Sequence, residues 1–201
     1  MILYRQATFG NPLRTEPARQ PGRYHSSGET SPTQYLCLHP LGPFAEFMRS
    51  HSFRLPEQVE QVRERTWALR LEQDALKEVT FENAHEFGLD AAALVDDDTA
   101  RCKAFATELR DAGVPGVIVP SAALPGTQNV VLFGARVGSP YQLEPLGAVD
   151  VQASITSSAG RPLVSLLNVV RFRGDPHAAL TAWESGTEFE FSEPDWELPG
   201  N

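Results

Sequence analysis

The chain has 201 residues, a formal net charge of −9 and 41% hydrophobic residues, which suits one soluble globular domain able to bury a sizeable core. That acidic balance argues against a nucleic-acid binder or a binder of anionic membranes, because both need basic surface. No apolar stretch reaches membrane-spanning length, and Met1-Ile2-Leu3-Tyr4-Arg5 carries no signal-peptide pattern. Cys37 and Cys102 are the only cysteines, so the expectation is a reduced, cytoplasmic protein.

Taken in order, residues 2–7 read as a short strand carrying Arg5. Residues 9–21 hold Gly10, Asn11, Pro12, Pro17 and Pro21 and read as a loop. The stretch 22–49 is the richest in chemistry: it gathers Arg23, Tyr24, His25, Tyr35, His39 and Glu46. Ser26, Ser27, Gly28, Ser31 and Pro32 make its middle a polar loop. Tyr35-Leu36-Cys37-Leu38 reads as a buried strand, stopped by 39–43. Pro43 suits a first helical turn, and Phe44, Phe47 and Met48 repeat at helical spacing. Glu46 is therefore expected in the first turns of a helix, where the dipole favours a carboxylate.

Residues 57–64 are charged and read as a helical turn or an exposed edge. Residues 66–72 alternate, with Trp67, Leu69 and Leu71 on one side, as a half-buried strand does. Val79 and Phe81 are expected to continue that sheet, and 83–88 to turn. Asp96-Asp97-Asp98 reads as a helix start, followed by a helix over 99–112 closed by Gly113. Residues 114–119 and 129–135 are strands expected to pair around Ser121. Residues 149–156 and 163–172 are further strand candidates. Asp175 is the expected N-cap of a last helix reaching Trp183, with Pro176 in its first turn. The domain is expected to span 1–186, with 187–201 an acidic tail. Scattered helices among about seven strands, without regular alternation, argue against a doubly wound parallel sheet. The expected fold class is α+β with mostly antiparallel sheets.

Several motifs fail. There is no phosphate-cradling glycine loop, no dinucleotide fingerprint, no nucleophile elbow and no metal-ligand spacing among the histidines and cysteines. Three positions, however, line up in order: Arg23 in Gly22-Arg23-Tyr24, Glu46 in Pro43-Phe44-Ala45-Glu46, and Ser121 in Val119-Pro120-Ser121. With the flanks Tyr4-Arg5, Tyr35-Leu36 and Asn129-Val130-Val131-Leu132-Phe133, this set resembles the RES domain over about residues 2–172.

The resemblance implies an ADP-ribosyltransferase-like fold and the toxin of a toxin–antitoxin module. It implies an NAD-degrading enzyme, an NAD phosphorylase or glycohydrolase that cleaves the nicotinamide–ribose bond. An ADP-ribosyltransferase acting on a cellular protein, or a dead binding module, is the alternative. It also implies NAD as substrate, inorganic phosphate as a possible co-substrate, no metal, and an Xre-type helix-turn-helix antitoxin as partner. A homo-oligomer stays open. Under this reading Glu46, Arg23 and Ser121 are catalytic candidates. Arg5, Arg23, Tyr24, His25, Tyr35 and Ser121 are candidates for binding NAD. Guanidinium groups suit the pyrophosphate, and a carboxylate suits the positive charge that develops on the ribose as nicotinamide leaves. His25 stands where the family usually has asparagine.

Overall fold

The computed structural model describes residues 1–6, 20–64, 66–71, 76–134, 143–145 and 162–195. Seven strands, β1 (Ile2–Gln6), β2 (Thr33–Cys37), β3 (Thr66–Leu71), β4 (Lys77–Glu78), β5 (Gly116–Pro120), β6 (Gln128–Phe133) and β7 (Leu143–Pro145), form one sheet in the order β4-β5-β6-β2-β1-β3-β7. Only the β4–β5 pair is parallel. The sheet is thus mostly antiparallel, as the unalternating strand pattern implies. Four α-helices, α1 (Gly42–His51), α2 (Pro56–Gln61), α3 (Ala100–Asp111) and α4 (Ala178–Glu184), and three short 3₁₀ turns complete the described elements.

Side chains alternate across the sheet with period two, and the register decides which residues can meet. Tyr4 pairs with Cys37 and Ala68, Tyr35 with Val131, Cys37 with Asn129, and Val119 with Asn129. These residues share one face. Against it, Phe44, Ala45 and Met48 of α1 pack with Ala68 and Leu124, while Cys102, Phe105 and Ala106 of α3 pack with Val117, Val119 and Val131. The other face carries Leu3, Leu36, Ile118, Val130 and Leu132, with Trp67 beside them.

Two glycines let the layers close up. A Cβ on Gly42 would lie 2.6 Å from Cys37 Cβ, so the start of α1 can sit directly on β2. A Cβ on Gly116 would run into the Val131 carbonyl, so β5 tolerates no side chain there.

Three elements differ from the sequence expectation. Residues 163–172 contain the 3₁₀ turn Val164–Asn168 instead of a strand; a short apolar run is equally consistent with a buried helical turn. The last helix starts later than Asp175. Its N-cap is His177, whose Nδ1 accepts the Leu180 N–H at 3.2 Å, whereas Asp175 accepts the Phe172 N–H and pairs with Arg54. The sheet continues through Lys77–Glu78 rather than through Phe81. The strand expected at 149–156 lies outside the described residues, as do 196–201 of the tail. Residues 187–195 lie against the body: Glu193 bonds His39 at 2.7 Å, and Phe191 packs on the His39 ring.

Candidate active site

A cleft of about 620 Å³ opens between α1 and the face of β2, β5 and β6. Its wall contains Arg23, Tyr24 and Tyr35 from the central stretch, Glu46 from α1, and Asn129 from β6. That volume lies within the range of roughly 300–1,000 Å³ common for ligand sites.

Glu46 sits in the fifth position of α1, and no acid occupies the helix's first turn. The dipole acts mainly within that turn, so it contributes less to Glu46 than the sequence suggests. The carboxylate is instead aimed by Asn129, whose Nδ2 donates to Oε1 at 2.8 Å. The other oxygen accepts no hydrogen bond from the described residues, and Glu46 lines the cleft. Beside it, burial and the Glu46 charge push the Cys37 thiol well above its ordinary pKa, so this cysteine is not an activated nucleophile.

Arg23 is held loosely. Its Nη1 lies 3.5 Å from the Ala93 carbonyl, and it has no acidic partner among the described residues. Its loop is built around Tyr35. The Tyr24 N–H donates to the Tyr35 hydroxyl at 2.9 Å, and His25 Nδ1 lies 2.8 Å from the same oxygen. His25 Nε2 lies 2.9 Å from the Gln20 carbonyl, which can only accept, so the proton sits on Nε2. Nδ1 then accepts from the Tyr35 hydroxyl. Burial holds the Tyr35 phenol far from ionising, so this chain of bonds keeps its direction. Arg110, at the end of α3, clamps the loop from behind by donating to the Tyr24 carbonyl and to Thr33 Oγ1 and by pairing with Glu29 at 3.2 Å.

The structure therefore brings Arg23, Tyr24, Tyr35 and Glu46 together. His25 is buried behind the wall as a brace. Ser121 is fully buried, and its Oγ accepts the N–H groups of Leu124 and Ala123 at 3.1 and 3.4 Å. It closes the turn whose neighbours Pro120 and Ala122 line the cleft. Arg5 stands apart from this group. It pairs in register with Trp67 and shares the opposite face with Leu3, whereas Gln6 reaches the cleft. One residue of strand alternation decides this.

Sequence reasoning missed the orienting role of Asn129, read there as a strand start. It also missed Glu64, which lines the cleft with a buried Oε2 that has no partner among the described residues. Beyond Arg23 and Glu46 a second basin of about 340 Å³ adjoins the cleft. Arg49 on its wall donates to Asp97 at 2.6 Å, and Arg171 reaches the same oxygen at 3.2 Å. Burial works to raise the Asp97 pKa, but the bonds from Arg49 and the Gly174 N–H and the charges of Arg171 and Arg49 outweigh it and hold the pKa at about 2. The acidic run 96–98 thus does more than start α3: Asp98 takes the Ala100 N–H, and Asp97 holds arginines.

Comparison with known proteins places the chain in a family. The chain is 33% identical over 118 residues to a probable NAD(+) phosphorylase of Mycobacterium tuberculosis, a match covering 59% of this chain and 56% of that relative. The chain therefore spans little more than half the length of this curated relative. A chain in the crystal structure of the M. tuberculosis MbcT–MbcA toxin–antitoxin complex superposes with a TM-score of 0.62 at 20% identity, over 79% of this chain and 88% of that one, so the two share a fold. The profile of the RES domain matches residues 3–150, and on that match the chain belongs to the RES domain family.

Proposed function

We propose that this chain cleaves NAD at the bond between nicotinamide and ribose, with inorganic phosphate as the acceptor. The observation that carries the reading is the pairing, across one cleft, of an arginine without an acidic partner and a carboxylate held by an amide. Arg23 binds the pyrophosphate through its planar donors. Tyr35 offers a ring face to the nicotinamide half. The free oxygen of Glu46 faces the ribose and stabilises the positive charge that grows on its anomeric carbon. The electron pair of the glycosidic bond leaves with nicotinamide, which departs neutral. A phosphate oxygen forms the new bond to the anomeric carbon, giving ADP-ribose that carries phosphate there. Ser121 and His25 hold the cleft's frame in this reading.

The M. tuberculosis relative bears the name of such an activity. The structural neighbour is part of a toxin–antitoxin complex, and we extend that role to this chain, with a helix-turn-helix antitoxin as partner. A net charge of −9 suits a basic DNA-binding partner. Among the described residues no helix is long and apolar enough to cross a membrane.

The test is incubation with NAD, with and without phosphate, followed by identification of the products. Nicotinamide release that accelerates with phosphate and yields the phosphorylated ADP-ribose is expected. Glu46→Gln should lower the rate by about 10²–10³-fold without unfolding the protein. Intact NAD after incubation with folded wild-type protein defeats the reading. ADP-ribose alone, in the presence of phosphate, makes water the acceptor.

A further inference from the structure

The basin beside the cleft has a charge opposite to the molecule's. Arg23, Arg49, Lys103 and Arg173 line it, against the carboxylates of Glu46 and Asp97, in a chain whose net charge is −9. Asp97 is already occupied by Arg49 and Arg171. Lys103 and Arg173 have no ion-pair partner among the described residues. Arg49 is 6% exposed and its Nη1 has no acceptor among the described residues. A buried donor left unmade costs free energy until an acceptor arrives.

We propose that this basin is a phosphate site, with Lys103 and Arg173 as its outer contacts and Arg49 as its inner charge. Arg23 and Glu46 border both cavities, so a phosphate held here lies next to the carboxylate. A doubly charged anion approaches Glu46 only where cations offset the repulsion, and Arg23 alone cannot serve both this anion and a pyrophosphate. The phosphate is either the free inorganic anion or a phosphoryl group of the dinucleotide. That choice rests on the NAD reading, but the site itself does not.

The experiment compares wild type with Lys103→Gln/Arg173→Gln, since Lys103 is only half-buried and Arg173 exposed, whereas removing Arg49 would take from Asp97 the nearer of its two arginines. Inorganic phosphate is titrated at constant ionic strength and followed by phosphorus NMR, with the melting temperature as the folding control. Phosphate affinity should fall about tenfold or more in the double variant, the loss expected for charge-assisted bonds. Initial rates then separate the sources. A rise in KM for phosphate alone marks the free anion, and a rise in KM for NAD alone marks the pyrophosphate. If neither the phosphate affinity nor either KM moves in the folded variant, the site is wrong even where nicotinamide is still released. If phosphate affinity falls while wild type releases no nicotinamide, the basin stands and the NAD reading falls.

Discussion

At the scale of single residues, the site depends on two contacts that hold functional groups in place. Asn129 fixes Glu46 through a bond between residues 83 positions apart. Removing the amide leaves the carboxylate in the cleft but free to swing. Asn129→Ala should therefore lower kcat for nicotinamide release by about 10²-fold while KM for NAD stays within about twofold, since misplacement by about 1 Å has effects of that size. A simple loss of fold would show instead in the melting temperature. Gly22 is the second contact. A Cβ there would strike the His25 ring and lie 2.6 Å from the Tyr35 hydroxyl. Gly22→Ala must displace the Arg23 loop, so KM for NAD should rise at least about tenfold; an unchanged KM would show that the loop does not position Arg23. The ordered set of Arg23, Glu46 and Ser121, with Tyr35 in the same short stretch as the first two, was visible in the sequence. Asn129 was not, because only the β2–β6 register brings it opposite Cys37. The sheet face that Arg5 takes was not legible either, because sequence order says nothing of which face a strand residue takes.

At the scale of elements, alternation and helix spacing located β1, β2, β3, β5, β6, α1 and α3 to within a few residues. They failed where two structures share one pattern. The apolar run 163–172 is a 3₁₀ turn because its residues fold onto α1 and α2 instead of pairing with a strand. At α4, Asp175-Pro176 resembles a helix start, yet Asp175 is drawn away by Arg54 and the cap falls to His177. His177 also donates from Nε2 to the Ser121 carbonyl at 3.0 Å, tying α4 to the turn under the cleft. Burial lowers its pKa to about 4, against the opposing pull of the Ser121 bond and with help from the nearby arginine charges. In the unfolded chain the ring takes up a proton near its ordinary value of about 6.5. Between about pH 6.5 and 4 the unfolded state thus binds more protons, and stability falls as pH falls. His177→Gln should lose about 1 kcal/mol at pH 7, as a cap replacement does, and should lack the part of the pH slope between 7 and 4 that this ring supplies. Equal slopes in urea titrations of the two proteins would contradict this.

At the scale of the molecule, an acidic protein encloses a basic centre, and Asp97 is the group that makes the centre foldable. Its two oxygens join three parts of the chain: Arg49 at the end of α1, Arg171, and the Gly174 N–H, at 2.6, 3.2 and 2.7 Å. The side chains of Arg49 and Arg171 are 7% and 8% exposed, so without a counter-charge they repel one another in a poorly solvated space. Composition alone suggests uniform acidity; only tertiary contacts show that the positive charges converge. Asp97→Asn keeps the shape and removes the charge. Its cost should be roughly 1–3 kcal/mol, the penalty for a charged group left without its partner, seen as a fall of about 2–4 °C in Tm for each kcal/mol. The pH dependence gives an independent check. The folded pKa of Asp97 is about 2, below the unfolded value of about 3.9. Its contribution is therefore complete above about pH 4 and disappears as pH falls towards 2. Wild type and Asp97→Asn should differ most at neutral pH and converge in that acid window. Curves that stay parallel from pH 7 to 2 would show that the arginines are held by something other than this carboxylate, and the positive basin beside the cleft would then need another explanation for its stability.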